Sequence, residues 1–129
     1  MEEPVFLNFA VIEDLHRLSL EMYGGSPGIR DQGLIESALG SAMNAFFYGS
    51  GDLFDVAAAY AFHLAQAQAY LDGNKRTGAG AALLFLRGNG VQRVPADLVV
   101  YDAMIAIAER RLDKPGLAEI FRRAAVSLP

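Results

Sequence analysis

Apolar positions recur at helical spacing along nearly the whole chain, and no segment alternates apolar and polar residues as a strand would. From Val11 to Tyr23, the residues Leu15, Leu18 and Met22 return at intervals of three and four, which predicts a helix with one apolar stripe. Gly24-Gly25-Ser26-Pro27-Gly28 breaks that helix by its turn chemistry. Asp31 is a suitable N-cap for a second helix, whose buried side is expected to be Leu34, Ile35, Ala38 and Leu39. Asn44 to Gly51 reads as irregular, with Phe46, Phe47 and Tyr48 buried and pinning it to the core. Leu53 to about Tyr70 is apolar on nearly every side, the pattern of a central, buried helix. Asp72-Gly73-Asn74 interrupts it, and a helix resumes over Lys75 to Arg87, ended by Gly88-Asn89-Gly90. Ala96 to Arg111 and Leu117 to Ala125 are amphipathic, with Lys114-Pro115-Gly116 separating them. The pattern predicts an all-α single domain over residues 1–129, a compact bundle of about six helices around one central apolar helix.

Composition sharpens this picture in a few places. A chain of 129 residues is long enough to bury about two-thirds of its unfolded surface. Hydrophobic residues make up 53%, and much of the excess is alanine, which favours helices packed backbone to backbone. Lys and Arg (11) are outnumbered by Asp and Glu (15), a formal charge of −4. That balance excludes broad electrostatic binding to nucleic acid, while leaving room for a local basic site. There is no cysteine, so disulfides and thiolate metal sites are excluded. The acidic start MEEPVFLNF does not resemble a secretion signal. Leu53 to Leu71 is interrupted by Asp55, His63, Gln66 and Gln68, too polar for a membrane span. The expectation is a soluble, cytoplasmic protein that contacts neither membrane nor nucleic acid directly.

Chemistry concentrates in Gln68-Ala69-Tyr70-Leu71-Asp72-Gly73-Asn74-Lys75-Arg76-Thr77. A buried helix ends there, a short turn follows, and the next helix starts with two cations. A helix start presents unpaired backbone N–H groups and the positive end of its dipole. With Gly73 allowing close approach, and Lys75 and Arg76 adding charge, the corner is a candidate phosphate cradle. Asp72 beside it suits Mg²⁺, which prefers carboxylates combined with phosphate oxygens and water. An anion clamp, a metal and a positioned acceptor are the parts of phosphoryl transfer. The competing reading is an ordinary Asp-Gly-Asn turn followed by solvated charges. Against it, cations in a first helical turn oppose the dipole at a cost of roughly 0.3–1 kcal/mol, which a bound anion would reverse.

The segment resembles the signature of the Fic/Doc family, His-x-Phe-x-Asp/Asn-Gly/Ala-Asn-Lys-Arg, in its Doc (death-on-curing) form. Fic-type adenylyltransferases have Gly where Lys75 stands and a further Arg at the position of Ala79. The resemblance runs from about Leu15 to Val91, taking in Gly24 to Asp31, Gly33 to Leu39, Leu83 to Leu86 and Asn89-Gly90. It implies an all-helical toxin of a bacterial toxin–antitoxin pair that transfers phosphate from ATP to a threonine of elongation factor Tu, halting translation. Carried onto this chain, it implies that Asp72 binds Mg²⁺ and that Gly73 and Asn74 line the anion pocket. Lys75 and Arg76 would contact ATP phosphates, and the catalytic positions would be Gln68, Asp72 and Lys75. The implied partners are elongation factor Tu and a small DNA-binding antitoxin whose disordered tail folds into a groove on the toxin.

The departure lies at the centre of the motif. Gln68 stands where the family has its general-base histidine, and Tyr70 where it has phenylalanine. An amide can orient a hydroxyl but does not take a proton near neutral pH. Loss of a general base costs about 10²–10⁴ in rate, or roughly 3–5.5 kcal/mol of barrier. The chain is therefore expected to be strongly impaired, whether Gln68 arose naturally or was introduced. His63, five positions earlier and about 140° around the same helix, reads as a core or groove histidine. His16 is expected on a surface helix without a role, and Asp72 is a weaker substitute base. Arg30 either faces the ligand or pairs with Asp31 or Glu36, while Arg110, Arg111, Arg122 and Arg123 read as helix-end charges. Two other functions stay open: a Fic-like adenylyltransferase, disfavoured by Lys75 and Ala79, and a non-catalytic antitoxin-binding protein, favoured by Gln68.

Overall fold

Helices rich in alanine gain stability only when their backbones come close, because each side chain has little apolar surface to bury. A computed structural model describes residues 2–126, in which the elements are α1 (Phe9–Tyr23), α2 (Gln32–Phe47), α3 (Leu53–Ala67), α4 (Asn74–Gly88), α5 (Asp97–Ala108) and α6 (Lys114–Val126). The expected all-α class is what forms, and there is no strand among the described residues. α3 is central: every residue from Val56 to Ala61 is buried, as are Leu64 and Ala65. α2, α4, α5 and α6 all pack on it, and α1 packs on α4 and α2.

The start of α3 is fastened at several points. Asp52 caps it by accepting from the backbone N–H groups of Phe54 and Asp55 (3.0 and 2.9 Å), and Asp55 returns a bond to Asp52 N–H at 2.9 Å. The Arg122 guanidinium of α6 then reaches Asp52 at 3.0 Å and Asp55 at 3.4 Å. Burial pushes the Asp52 carboxyl up, but the Asp55 N–H and the guanidinium outweigh it and hold the group below its ordinary value. Arg122 is thus more than a helix-end charge; it stitches α6 onto α3.

Several boundaries and faces differ from the sequence expectation, among them α5, which ends at Ala108 and not Arg111, and α2, where Leu34 is exposed. α2 continues through Asn44 to Phe47 where an irregular segment was expected, because Phe46 and Phe47 pack on Phe6 from within the helix. Tyr48 is 84% exposed and Phe47 half-exposed, so only Phe46 of that trio is largely buried. α3 stops at Ala67, three residues before Tyr70, since Gln68 takes a left-handed conformation. Lys114-Pro115-Gly116 is the first turn of α6 and no separator. Asp113 caps it, accepting from Gly116 N–H at 2.8 Å, and proline is tolerated where its missing N–H would have no partner anyway.

A further difference concerns α1. Its buried residues are Ile12, His16 and Ser19, while Leu18 and Met22 are 46% and 71% exposed. The buried face is rotated away from Leu18 and Met22, and polar His16 and Ser19 share it with Ile12 and the partly buried Phe9 and Leu15.

The most extensive helix contact is between α3 and α4. Gly78 is buried against Ala61, and a Cβ placed on it would lie 2.7 Å from the Ala61 carbonyl oxygen and 3.4 Å from Ala61 Cα. Both neighbours are backbone and cannot swing aside. Gly78→Ala should therefore destabilise the protein by about 1–3 kcal/mol through overpacking, despite a helix-propensity gain of roughly 1 kcal/mol. Urea denaturation of the two forms measures this, with a lowered midpoint expected for the variant.

Candidate functional site

The link between α3 and α4 must reverse the chain in a small space, and two left-handed residues do so. Gln68 has φ 54° and ψ 39°, and its side-chain amide turns back to donate to the Ala65 carbonyl at 2.8 Å, capping the last turn of α3. Gly73 has φ 80° and precedes α4, a conformation that glycine adopts without a Cβ penalty. Asn74 fills the inside of the turn. It is buried, accepts from Tyr70 N–H at 3.0 Å and donates to the Tyr70 carbonyl at 2.9 Å, with its amide also 3.5 Å from Gln68 Oε1. Its side chain is thus spent on shaping the turn, and what it can offer a ligand is its backbone N–H.

The glycine-rich loop lies against this turn. Ile29 and Tyr70 form an antiparallel bridge, in which Arg30 and Asp31 N–H both donate to the Ala69 carbonyl (2.6 and 3.1 Å) and Leu71 N–H donates to Gly28 O at 3.1 Å. Gly25, at φ 121°, leaves room for the Asp72 carboxylate: a Cβ there would sit 2.8 Å from Asp72 Oδ2. That carboxylate is exposed, yet held at both oxygens, accepting from Ser26 N–H at 3.2 Å and Gly73 N–H at 2.9 Å. Arg30 is exposed and makes no ion pair with Asp31 or Glu36 among the described residues; its backbone, not its guanidinium, joins the corner.

α4 starts with no side-chain cap, and its first backbone bond is Thr77 N–H to Gly73 O at 2.9 Å. The N–H groups of Asn74, Lys75 and Arg76 therefore precede the helical ladder and face the start of the dipole. Lys75 and Gln68, with Ala65, Gln66, Met104 and Ile107, line a cavity of about 140 Å³. It shares Gln66 and Ile107 with a cleft of about 520 Å³ that ends at Arg110 and Arg111. Arg76 diverges from Lys75, its guanidinium lying 4.8 Å from the centre of the Tyr23 ring. Within the corner, Gln68 and Lys75 share the cavity, the Asp72 carboxylate lies against Gly25 and Ser26, and Arg76 lies against Tyr23 of α1.

Sequence reading missed the floor of this site. His16 is only 6% exposed, its ring stacks on Tyr70 with centroids 3.6 Å apart, and its Nε2 lies 2.8 Å from the Asp72 carbonyl oxygen. Tyr70 in turn donates its hydroxyl to Glu13 at 2.5 Å; burial, and then the Glu13 carboxylate, push the phenol well above its ordinary range. The signal was present as Ile12, His16 and Ser19 at i, i+4 and i+7, but two of those three are polar and invisible to an apolar stripe. His63 lies away from the turn, half-buried, accepting from the Lys114 ammonium at 2.9 Å.

Comparisons with known proteins identify relatives of the chain. The profile of the Fic/DOC family matches residues 6–86, well over half of the chain. A protein kinase doc of Escherichia phage P1 is 36% identical over 110 residues, covering 84% of this chain and 86% of the relative. A toxin Doc of Mycolicibacterium smegmatis is 38% identical over 112 residues, covering 82% of this chain and 85% of the relative.

The His63–Lys114 pair carries a pH dependence. Burial, and then the Lys114 charge, hold the His63 pKa below its usual 6.5. The stabilisation from neutral His63 is complete above the unfolded value and is lost as pH falls toward the folded one. Urea melts from pH 7.5 down to 5 should show the wild type losing stability relative to His63→Gln, which keeps an acceptor for Lys114 but does not titrate in this range.

Proposed function

The chain belongs to the Fic/DOC family, and from that premise we propose that it is a Doc-type toxin: an ATP-dependent protein phosphotransferase scaffold, inhibited by an antitoxin and impaired by Gln68. The observation that carries this reading is the uncapped start of α4, whose Lys75 lines a cavity together with Gln68. A polyphosphate placed there would satisfy donors that no side chain satisfies. The relatives' names, protein kinase doc and toxin Doc, point to phosphoryl transfer and to growth inhibition.

Asp72 fits Mg²⁺ brought in with ATP. Mg²⁺ takes one or two carboxylates together with phosphate oxygens and water, and each oxygen of Asp72 keeps a lone pair after bonding Ser26 and Gly73 N–H. The ion would neutralise charge on the transferred phosphoryl group.

Roles follow from placement. The Lys75 ammonium and the N–H groups of the α4 start hold phosphates, Gly73 lets them approach, and Arg76 adds charge from the Tyr23 side. Gln68 stands at the position of the acceptor's base. Both ends of its amide are engaged, one donating to Ala65 O and the other 3.5 Å from the Asn74 amide, and neither takes a proton. The acceptor we propose is a threonine hydroxyl of elongation factor Tu, and the partner a DNA-binding antitoxin with a disordered tail. The engagement of Gln68 as a helix cap also favours a second reading, in which the chain binds antitoxin without catalysis.

Gln68→His separates these readings. With elongation factor Tu and ATP labelled at the γ-phosphate, the histidine form should transfer label about 10²–10⁴ times faster than the glutamine form. Transfer of label from the α-phosphate instead would move the activity to AMP transfer. No transfer by either form, with an antitoxin still bound tightly, would leave the binding protein as the function.

A further inference from the structure

We infer that His16 is a positioning residue for the α3–α4 corner, fixing the Asp72–Gly73 turn from beneath. The first argument is the orientation of α1. Beside Ile12, α1 buries His16 and Ser19 while Leu18 and Met22 face solvent, so part of its apolar surface stays unburied. Burying an imidazole is unfavourable unless its polar atoms are bonded, and here Nε2 meets the Asp72 carbonyl at 2.8 Å. A carbonyl oxygen only accepts, so Nε2 carries the proton and donates.

The second argument is where that bond falls. Asp72 is the residue whose carboxylate Ser26 and Gly73 N–H groups hold on the outer side of the turn. His16 holds the same residue by its carbonyl on the inner side, so that Asp72 is gripped at its main chain and its side chain at once. Gly73 rests on the same support, its α-carbon directed so that a Cβ would lie 3.5 Å from His16 Cδ2 and from Ser19 Oγ. The imidazole cannot slide, because it stacks on Tyr70 at 3.6 Å with planes 10° apart, and Tyr70 is anchored through Glu13. Removing the donor frees the Asp72–Gly73 peptide to rotate, which redirects both the carboxylate and the N–H groups that open α4.

Two variants separate positioning from bulk support. His16→Phe keeps a ring on Tyr70 and loses the donor; His16→Gln keeps an N–H donor at similar reach. Hydrogen exchange followed by NMR on the full-length protein should show the Gly73 and Ser26 amides exchanging about five- to tenfold faster in His16→Phe, the worth of one hydrogen bond. Amides of Ala57 to Ala59 in α3 should be unchanged, and His16→Gln should restore Gly73 and Ser26. Uniform acceleration across the protein, or none, would overturn the inference.

A second measurement rests on the reading of the site as a phosphotransferase. In the Gln68→His background, His16→Phe should lower kcat about 10–100-fold, as misplacement of reacting groups by about an ångström does, with His16→Gln recovering most of it. A kcat within twofold of the parent would overturn the inference even with the exchange pattern intact. A parent without any transfer activity would count against the phosphotransferase reading alone, and the exchange data would then decide the role of His16.

Discussion

α3 and α4 touch backbone to backbone where Gly78 meets Ala61, and the rest of the corner follows from that contact. Helices this close leave their connection little room, so Gln68 and Gly73 turn left-handed and Asn74 occupies the inside of the bend. The same closeness sets the carbonyl end of one helix beside the N–H end of the next, where their dipoles have opposite sign. Gln68 serves the carbonyl end through its bond to Ala65 O, and the N–H end stays uncapped. The proposed cradle is therefore a product of helix packing, and its residues are few because the backbone provides most of its donors.

Much of this was legible in the residues themselves. Leu53 to about Tyr70 reads as apolar on nearly every side and holds the centre of the bundle, and Asp72-Gly73-Asn74 reads as a turn from local chemistry alone. Gln68, Asp72, Lys75 and Arg76 were marked as candidates by a short motif, since these positions are neighbours in sequence. What failed to show was tertiary. The apolar stripe of α1 does not reveal that His16 faces the core, and its partner is a carbonyl 56 positions away. Nor does the loop sequence show that Ser26 would bind the Asp72 carboxylate. Lys114-Pro115-Gly116 misled because proline and glycine usually end helices, whereas Asp113 makes the same residues a beginning.

The chain is acidic overall, yet several cations lie at the corner or along the adjoining cleft. Lys75 lines the inner cavity, Arg110 and Arg111 line the adjoining cleft, and Arg76 covers Tyr23. Arg110 has φ 62° in a position just after α5 where glycine is usual. Its charge there suits the negative end of the helix dipole, which offsets part of the conformational cost. A net charge of −4 thus says little about the face that a polyphosphate would meet.

The bridge between Ile29 and Tyr70 has a thermodynamic side. A loop written as Gly-Gly-Ser-Pro-Gly would ordinarily wander, and seating a ligand beside it would mean freezing several rotatable backbone angles at roughly 1–2 kcal/mol per residue. Here Gly28, Arg30 and Asp31 are already bonded to Ala69 and Leu71. The disorder of that stretch is removed when the chain folds, so an incoming molecule meets a surface already at rest.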